Sequence, residues 1–241
     1  MSRQPHMPES PALFLDFDGT LVELAETPSA VVVPDRLNGL LNRLNTNCGG
    51  AVAFVTGRSI RDLDALLGHE PGNAVGVHGA EWRLGGAEVV VVDGHPFEAE
   101  RRTIRAFADD HAGIIMEEKS AGLTLHYRRE PALQDAAHSV MDLAFADRDD
   151  FETMSGHMMV EARRIGVHKG AGIERLMQNA PFARRTPVIL GDEVTDEDGF
   201  AAVNAFGGIS IKVGEGATSA THRLANVPAV YDYLEALAST R

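Results

Sequence analysis

Asp16 and Asp18, two residues apart in Phe14-Leu15-Asp16-Phe17-Asp18-Gly19-Thr20-Leu21, stand where a short apolar run ends. Residues 12–17 read as a buried strand, and Gly19 breaks it. Side chains on a strand alternate between faces, so the two carboxylates project to the same side. An Asx-type turn accounts for Asp18. It leaves Asp16 unexplained, because a carboxylate inside an apolar run is costly without a cation or proton to compensate it. Such a pair can supply a nucleophile, an acid–base group and ligands for a divalent cation.

A second acidic cluster, Gly191-Asp192-Glu193-Val194-Thr195-Asp196-Glu197-Asp198, directly follows a buried strand at residues 187–190. Open parallel sheets bind ligands at that end of their strands. Thr195 to Asp198 has capping-box spacing, and Glu197 and Asp198 suit the first turn of a helix. Asp192 has no such structural reason. Mg2+ prefers a few hard oxygen ligands, and Asp16, Asp192 and the backbone carbonyl of Asp18 fit that preference. Asp196 either holds a water on the metal, positions a basic residue, or simply complements the helix dipole. Thr56, in Thr56-Gly57-Arg58, offers a hydroxyl and free N–H groups to a phosphate at a helix start. Lys169, in Val167-His168-Lys169-Gly170, is the cation that carboxylates and a phosphate require.

The elements that must hold these groups follow a strand–helix rhythm. Helices are predicted at 35–44 and 59–67, strands at 51–55 and 74–77, and a hairpin around Gly85-Gly86. From about residue 97 the order changes to helix, two strands, helix, two strands, and at 169 the first rhythm resumes. The expected fold is therefore α/β, a parallel sheet covered on both faces, with an α+β domain inserted into it. The expected boundaries are 11–96 with 166–241 for the core and 97–165 for the insert. The 241 residues carry 22 basic and 35 acidic side chains, a net charge of −13 that argues against binding nucleic acid through a basic footprint. An anionic substrate must then be met by local positive charge. One cysteine, Cys48, excludes an internal disulfide and a cysteine-based metal cluster. Residues 1–10 resemble neither a secretory signal nor a membrane span, and the expected location is the cytoplasm.

The ordered set Asp16-x-Asp18-Gly19-Thr20, Thr56-Gly57-Arg58, Lys169 and Gly191-Asp192-x-x-x-Asp196 resembles the four motifs of the haloacid-dehalogenase-like (HAD) superfamily. Val77-His78-Gly79-Ala80-Glu81, Glu117-Glu118-Lys119, His126-Tyr127-Arg128 and Gly156 with Glu161 narrow the resemblance to the trehalose-6-phosphate phosphatases. It implies a Rossmann-like HAD core with an inserted C2-type cap, and Mg2+-dependent hydrolysis of trehalose 6-phosphate. In that scheme Asp16 is the nucleophile and Asp18 the acid–base group, with Thr56 and Lys169 completing the catalytic set. The metal falls to Asp16, Asp18 and Asp192, with Asp196 behind them. Glu117, Lys119 and Glu161 would bind the sugar, with Arg58 and His78 as further substrate contacts. The resemblance also implies a functional link to a trehalose-6-phosphate synthase. One departure stands out: the family often has Gly-Lys where this chain has Gly156-His157. Hydrolysis of another sugar phosphate and a non-enzymatic regulatory role are the alternatives, and the presence of both Asp16 and Asp18 argues against the second.

Overall fold

The computed structural model describes residues 8–25, 27, 30–92, 97–119, 121–156 and 158–239; the side chain of Lys119 and the whole of His157 lie outside the described residues. The chain divides into two compact units, 1–91 with 168–241, and 92–167.

The first unit is built on an eight-stranded sheet. Its strands are β1 (Pro11–Leu15), β2 (Val52–Val55), β3 (Ala74–Gly76), β4 (Glu81–Arg83), β5 (Val90–Val91), β10 (Thr186–Gly191), β11 (Ile209–Val213) and β12 (His222–Leu224). They lie in the order β12-β11-β10-β1-β2-β3-β4-β5. The run from β12 to β3 is parallel, and β4 and β5 add antiparallel strands at one edge. Every residue of β1 is buried, as expected of a central strand with both faces covered.

Helices α1 (Arg36–Asn47), α2 (Ile60–Leu67) and α7 (Val227–Ser239) cover one face, with Leu40, Leu44, Ile60, Val230 and Leu234 packed against Leu13 and Leu15. On the other face, α5 (Lys169–Met177) and α6 (Glu197–Ala205) bring Ile173, Leu176, Phe200 and Val203 against Phe14 and Ile189. Ser59 caps α2, its hydroxyl accepting from the Asp62 N–H at 3.1 Å, as its spacing predicts. Cys48 ends α1 fully buried, and burial pushes its thiol up to about 11, which leaves it a packing group.

The second unit is a four-stranded antiparallel sheet in the order β6-β7-β9-β8. These strands are β6 (Ile115–Lys119), β7 (Gly122–His126), β8 (Phe151–Gly156) and β9 (Met159–Arg164). Helices α3 (Glu98–Asp109) and α4 (Gln134–Ala144) pack on one face, where Ile104 and Met141 meet Leu123, Leu125, Val160 and Ala162. Alternation sends the intervening residues to the other face. No helix among the described residues is long and apolar enough to cross a membrane.

Candidate active site

Strand β1 ends at Leu15, two residues earlier than the apolar run suggests, so Asp16 lies just past its end. The Asp16 N–H still donates to the Leu190 carbonyl at 3.0 Å, which fixes the residue beside β10. The chain then turns sharply, with Leu21 and Val22 both donating to the Phe17 carbonyl. Gly19 makes the turn possible: its φ is +73°, and a Cβ there would fall 2.1 Å from Asp192 Oδ2. Asp192 follows directly on β10, so the two acidic motifs meet at the carboxyl ends of adjacent parallel strands.

Lys169 is almost fully buried at the first position of α5, not solvated in a turn as a lysine beside a glycine usually is. Its Nζ donates to Asp16 Oδ1 at 2.8 Å and to Asp196 Oδ1 at 2.7 Å. His168 caps this helix, its Nδ1 accepting from the Ala171 N–H at 3.2 Å. The turn Val77–Gly79 packs on that cap, and a Cβ on Gly79 would lie 2.4 Å from the His168 carbonyl oxygen. Val77 and His78 have φ of 45° and 53°, a left-handed backbone that a β-branched residue rarely accepts. The ring of His78 lies over Gly57.

Burial pushes the Asp16 carboxyl well above the usual carboxylate range, against the pull of Lys169. Burial likewise raises Asp192 to about 6. For Lys169 burial opposes the charge, yet Asp16 and Asp196 hold its ammonium above the ordinary lysine range. Asp16, Asp192 and Asp196 each present an oxygen within 4.8 Å of the others. Both oxygens of Asp196 are engaged, one by Lys169 and one by the Glu193 N–H at 2.9 Å. Asp16 and Asp192 instead share the Thr20 hydroxyl, at 3.4 and 3.1 Å. A hard divalent cation fits that donor set, where it would compensate the buried carboxylates. Asp196 is thereby the group that positions a basic residue, one of the roles its sequence left open.

The remaining predicted residues divide between the units. The Asp18 carboxylate is not part of the acidic cluster and pairs in bidentate fashion with Arg58, at 2.6 and 2.7 Å. Thr56 is buried and its hydroxyl accepts from the Arg58 N–H at 3.2 Å. The capping box falls at Glu193 and Asp196 instead of Thr195 and Asp198, and Thr195 lies in a single 3-10 turn before α6. In the second unit Glu117, Thr124 and Glu161 sit directly opposite one another on β6, β7 and β9. They occupy the face away from α3 and α4, and Glu117 Oε2 lies at hydrogen-bond distance from His126 Nε2, 2.9 Å. Lys119 pairs with Gly122 in the same sheet.

The trehalose-phosphatase family model matches residues 14–229, which includes both acidic clusters and the whole second unit. The chain belongs to the trehalose-phosphatase family. It is 39% identical over 239 residues to the trehalose-6-phosphate phosphatase of Escherichia coli (strain K12), covering 98% of this chain and 89% of that protein. It is 37% identical over 219 residues to a probable trehalose-phosphate phosphatase of Sinorhizobium fredii, covering 90% and 82%. Among solved structures, the C-terminal domain of a C. albicans trehalose-6-phosphate phosphatase superposes with a TM-score of 0.78 at 25% identity, over 97% of this chain and 93% of that one. The fold is the α/β fold of the HAD phosphatases.

Three further residues at these sites were not singled out by sequence reasoning. Thr20 bridges Asp16 and Asp192, and its place in the Asp-x-Asp-Gly-Thr motif was the available signal. Thr124 is buried between Glu117 and Glu161, and its hydroxyl has no hydrogen-bond partner among the described residues. Lys212 reaches the backbone of Asp192 from β11. For the last two no signal is visible in the sequence.

Proposed function

We propose that this trehalose-phosphatase family member hydrolyses trehalose 6-phosphate to trehalose and phosphate in the presence of Mg2+, through an aspartyl-phosphate intermediate. The observation that carries the mechanism is Asp16 held at the end of β1 by the Lys169 ammonium, next to Asp192. An Asp16 oxygen attacks phosphorus and the bond from phosphorus to the sugar oxygen breaks, with Asp18 giving that oxygen its proton. Asp18 then takes a proton from water, whose oxygen attacks phosphorus and restores Asp16 as free phosphate leaves. For both steps Asp18 must exchange Arg58 for a substrate atom, and Arg58 becomes available to the anionic phosphoryl group. Lys169 stays paired with Asp16 and Asp196, fixing the nucleophile and offsetting charge in a loose transition state. Asp16 and Asp192 would hold the Mg2+, with the Asp18 carbonyl as a further ligand; when bound, it supplies charge neutralisation for the phosphoryl oxygens.

Thr56 offers its hydroxyl to the phosphoryl group from the end of β2, with His78 nearby as a further substrate contact. The second unit serves as a C2-type cap in this reading, and Glu117, Lys119 and Glu161 hydrogen-bond the sugar hydroxyls. A trehalose-6-phosphate synthase is the functional partner such a substrate implies, and the cytoplasm is where the two would work.

The test is phosphate release from a panel of sugar phosphates, with Mg2+ and with a chelator. Selective, Mg2+-dependent release from trehalose 6-phosphate is expected. Release from a different disaccharide phosphate keeps the core chemistry and removes the sugar assignment. No release from any of them, by folded protein with Mg2+ present, overturns the reading.

A further inference from the structure

Nineteen of the 22 basic residues are arginine, and only Lys119, Lys169 and Lys212 are lysine. Lys169 lies in the acidic cluster and Lys119 is assigned to the sugar. Lys212 sits on β11, directly opposite Gly191 of β10 in the parallel register. It is 6% exposed. Its ammonium donates to the backbone carbonyl of Asp192 and to that of Val213, the latter at 3.2 Å. Its charge also reaches Glu197, whose carboxylate is held by the Ser219 N–H and hydroxyl, both at 2.7 Å. Burying an ammonium against neutral carbonyls is expensive, and an apolar side chain would fill the same place more cheaply. Besides its bond to Val213 and its attraction to Glu197, the ammonium provides a hold on the main chain of Asp192 that an apolar group cannot.

We propose that Lys212 is a positioning residue for the metal, pinning the Asp192 backbone so that its carboxylate stays aimed at Asp16. The inference rests on the reading of Asp16 and Asp192 as metal ligands. Groups behind a metal ligand commonly change metal affinity about 10–100-fold when removed. The sign separates this role from a purely electrostatic one. A lysine near a dication repels it, so removing the charge alone tightens Mg2+ binding. Removing a positioning contact weakens it.

The experiment is calorimetric titration of MgCl2 into the full chain, stripped of metal by a chelator and without substrate. Lys212→Met retains the aliphatic stem and loses charge and donors. Its Mg2+ dissociation constant should rise about tenfold. Lys212→Leu, which likewise has neither charge nor donor, should shift it in the same direction and carries the test if the methionine variant does not fold. Binding as tight as that of the unaltered protein, or tighter, overturns the inference while leaving the metal site intact. Failure of the unaltered protein to bind Mg2+ overturns the metal reading and this inference together.

Discussion

Replacing Lys169 with methionine is the sharpest perturbation of the acidic cluster, because the stem is retained and only the charge and its donors are lost. The side chains of Lys169, Asp16 and Asp196 are 1%, 5% and 0% exposed, and both ion pairs are shorter than 3 Å. Removing one partner from a buried ion pair typically costs about 3–5 kcal/mol, because the remaining charge stays buried and uncompensated. In a protein of this size each kcal/mol moves the melting temperature by about 2–4 °C, so Lys169→Met should melt roughly 6–20 °C lower at pH 8 in chelator. The loss must depend on pH, and its sign is fixed. Burial raises the Asp16 carboxyl and Lys169 lowers it, so the variant raises it further. Its folded state then keeps a proton that the unfolded chain releases above about pH 4. Folding is favoured below that pH and penalised progressively above it. Thermal unfolding followed by circular dichroism at about pH 4.5 and pH 8 measures both limits. A deficit equal at the two pH values, or a variant melting within about 2 °C of the unaltered protein at pH 8, refutes the argument that this lysine compensates buried charge.

Three other outcomes are expected. Asp192 has its carboxyl near 6 through burial, so the metal-free protein should lose stability as pH rises from about 4 to 6, and the rise in melting temperature caused by Mg2+ should be larger at pH 7.5 than at pH 5. The opposite order would remove Asp192 from the metal site. Gly19→Ala should lower stability by about 1–3 kcal/mol and abolish phosphate release, since its Cβ meets Asp192 Oδ2 at 2.1 Å with φ at +73°; unimpaired turnover contradicts that geometry. Glu161→Ala should raise the Michaelis constant for trehalose 6-phosphate about tenfold or more, the value of a hydrogen bond to a charged group, and leave a small phosphate ester nearly unaffected. Equal effects on both esters would take Glu161 out of sugar recognition.

The central strands were legible because burial on both faces leaves a continuous apolar run, as in β1 and in the Val188–Leu190 stretch of β10. Strand β12 was not legible: two of its three residues are His222 and Arg223, and its pairing at the sheet edge is a tertiary fact. Acidic motifs show where carboxylates are, but not which cation each one meets. Asp18 and Arg58 stand 40 residues apart and pair through both oxygens, which no local spacing encodes. Glu193 to Asp196 and Thr195 to Asp198 are both three residues apart, and sequence reasoning takes the second as the capping box. The structure selects the first, because Asp196 can then accept from the Glu193 N–H with one oxygen and from Lys169 with the other. The same residue thus starts a helix and fixes the lysine that restrains Asp16. Lys212 was illegible for a different reason. Its acceptors are backbone carbonyls, which every residue possesses, so the choice of Asp192 as partner leaves no trace in side-chain identity. Side-chain chemistry therefore names the groups that act, while the contacts that aim them pass largely through the backbone and become visible only when β10 and β11 are set side by side.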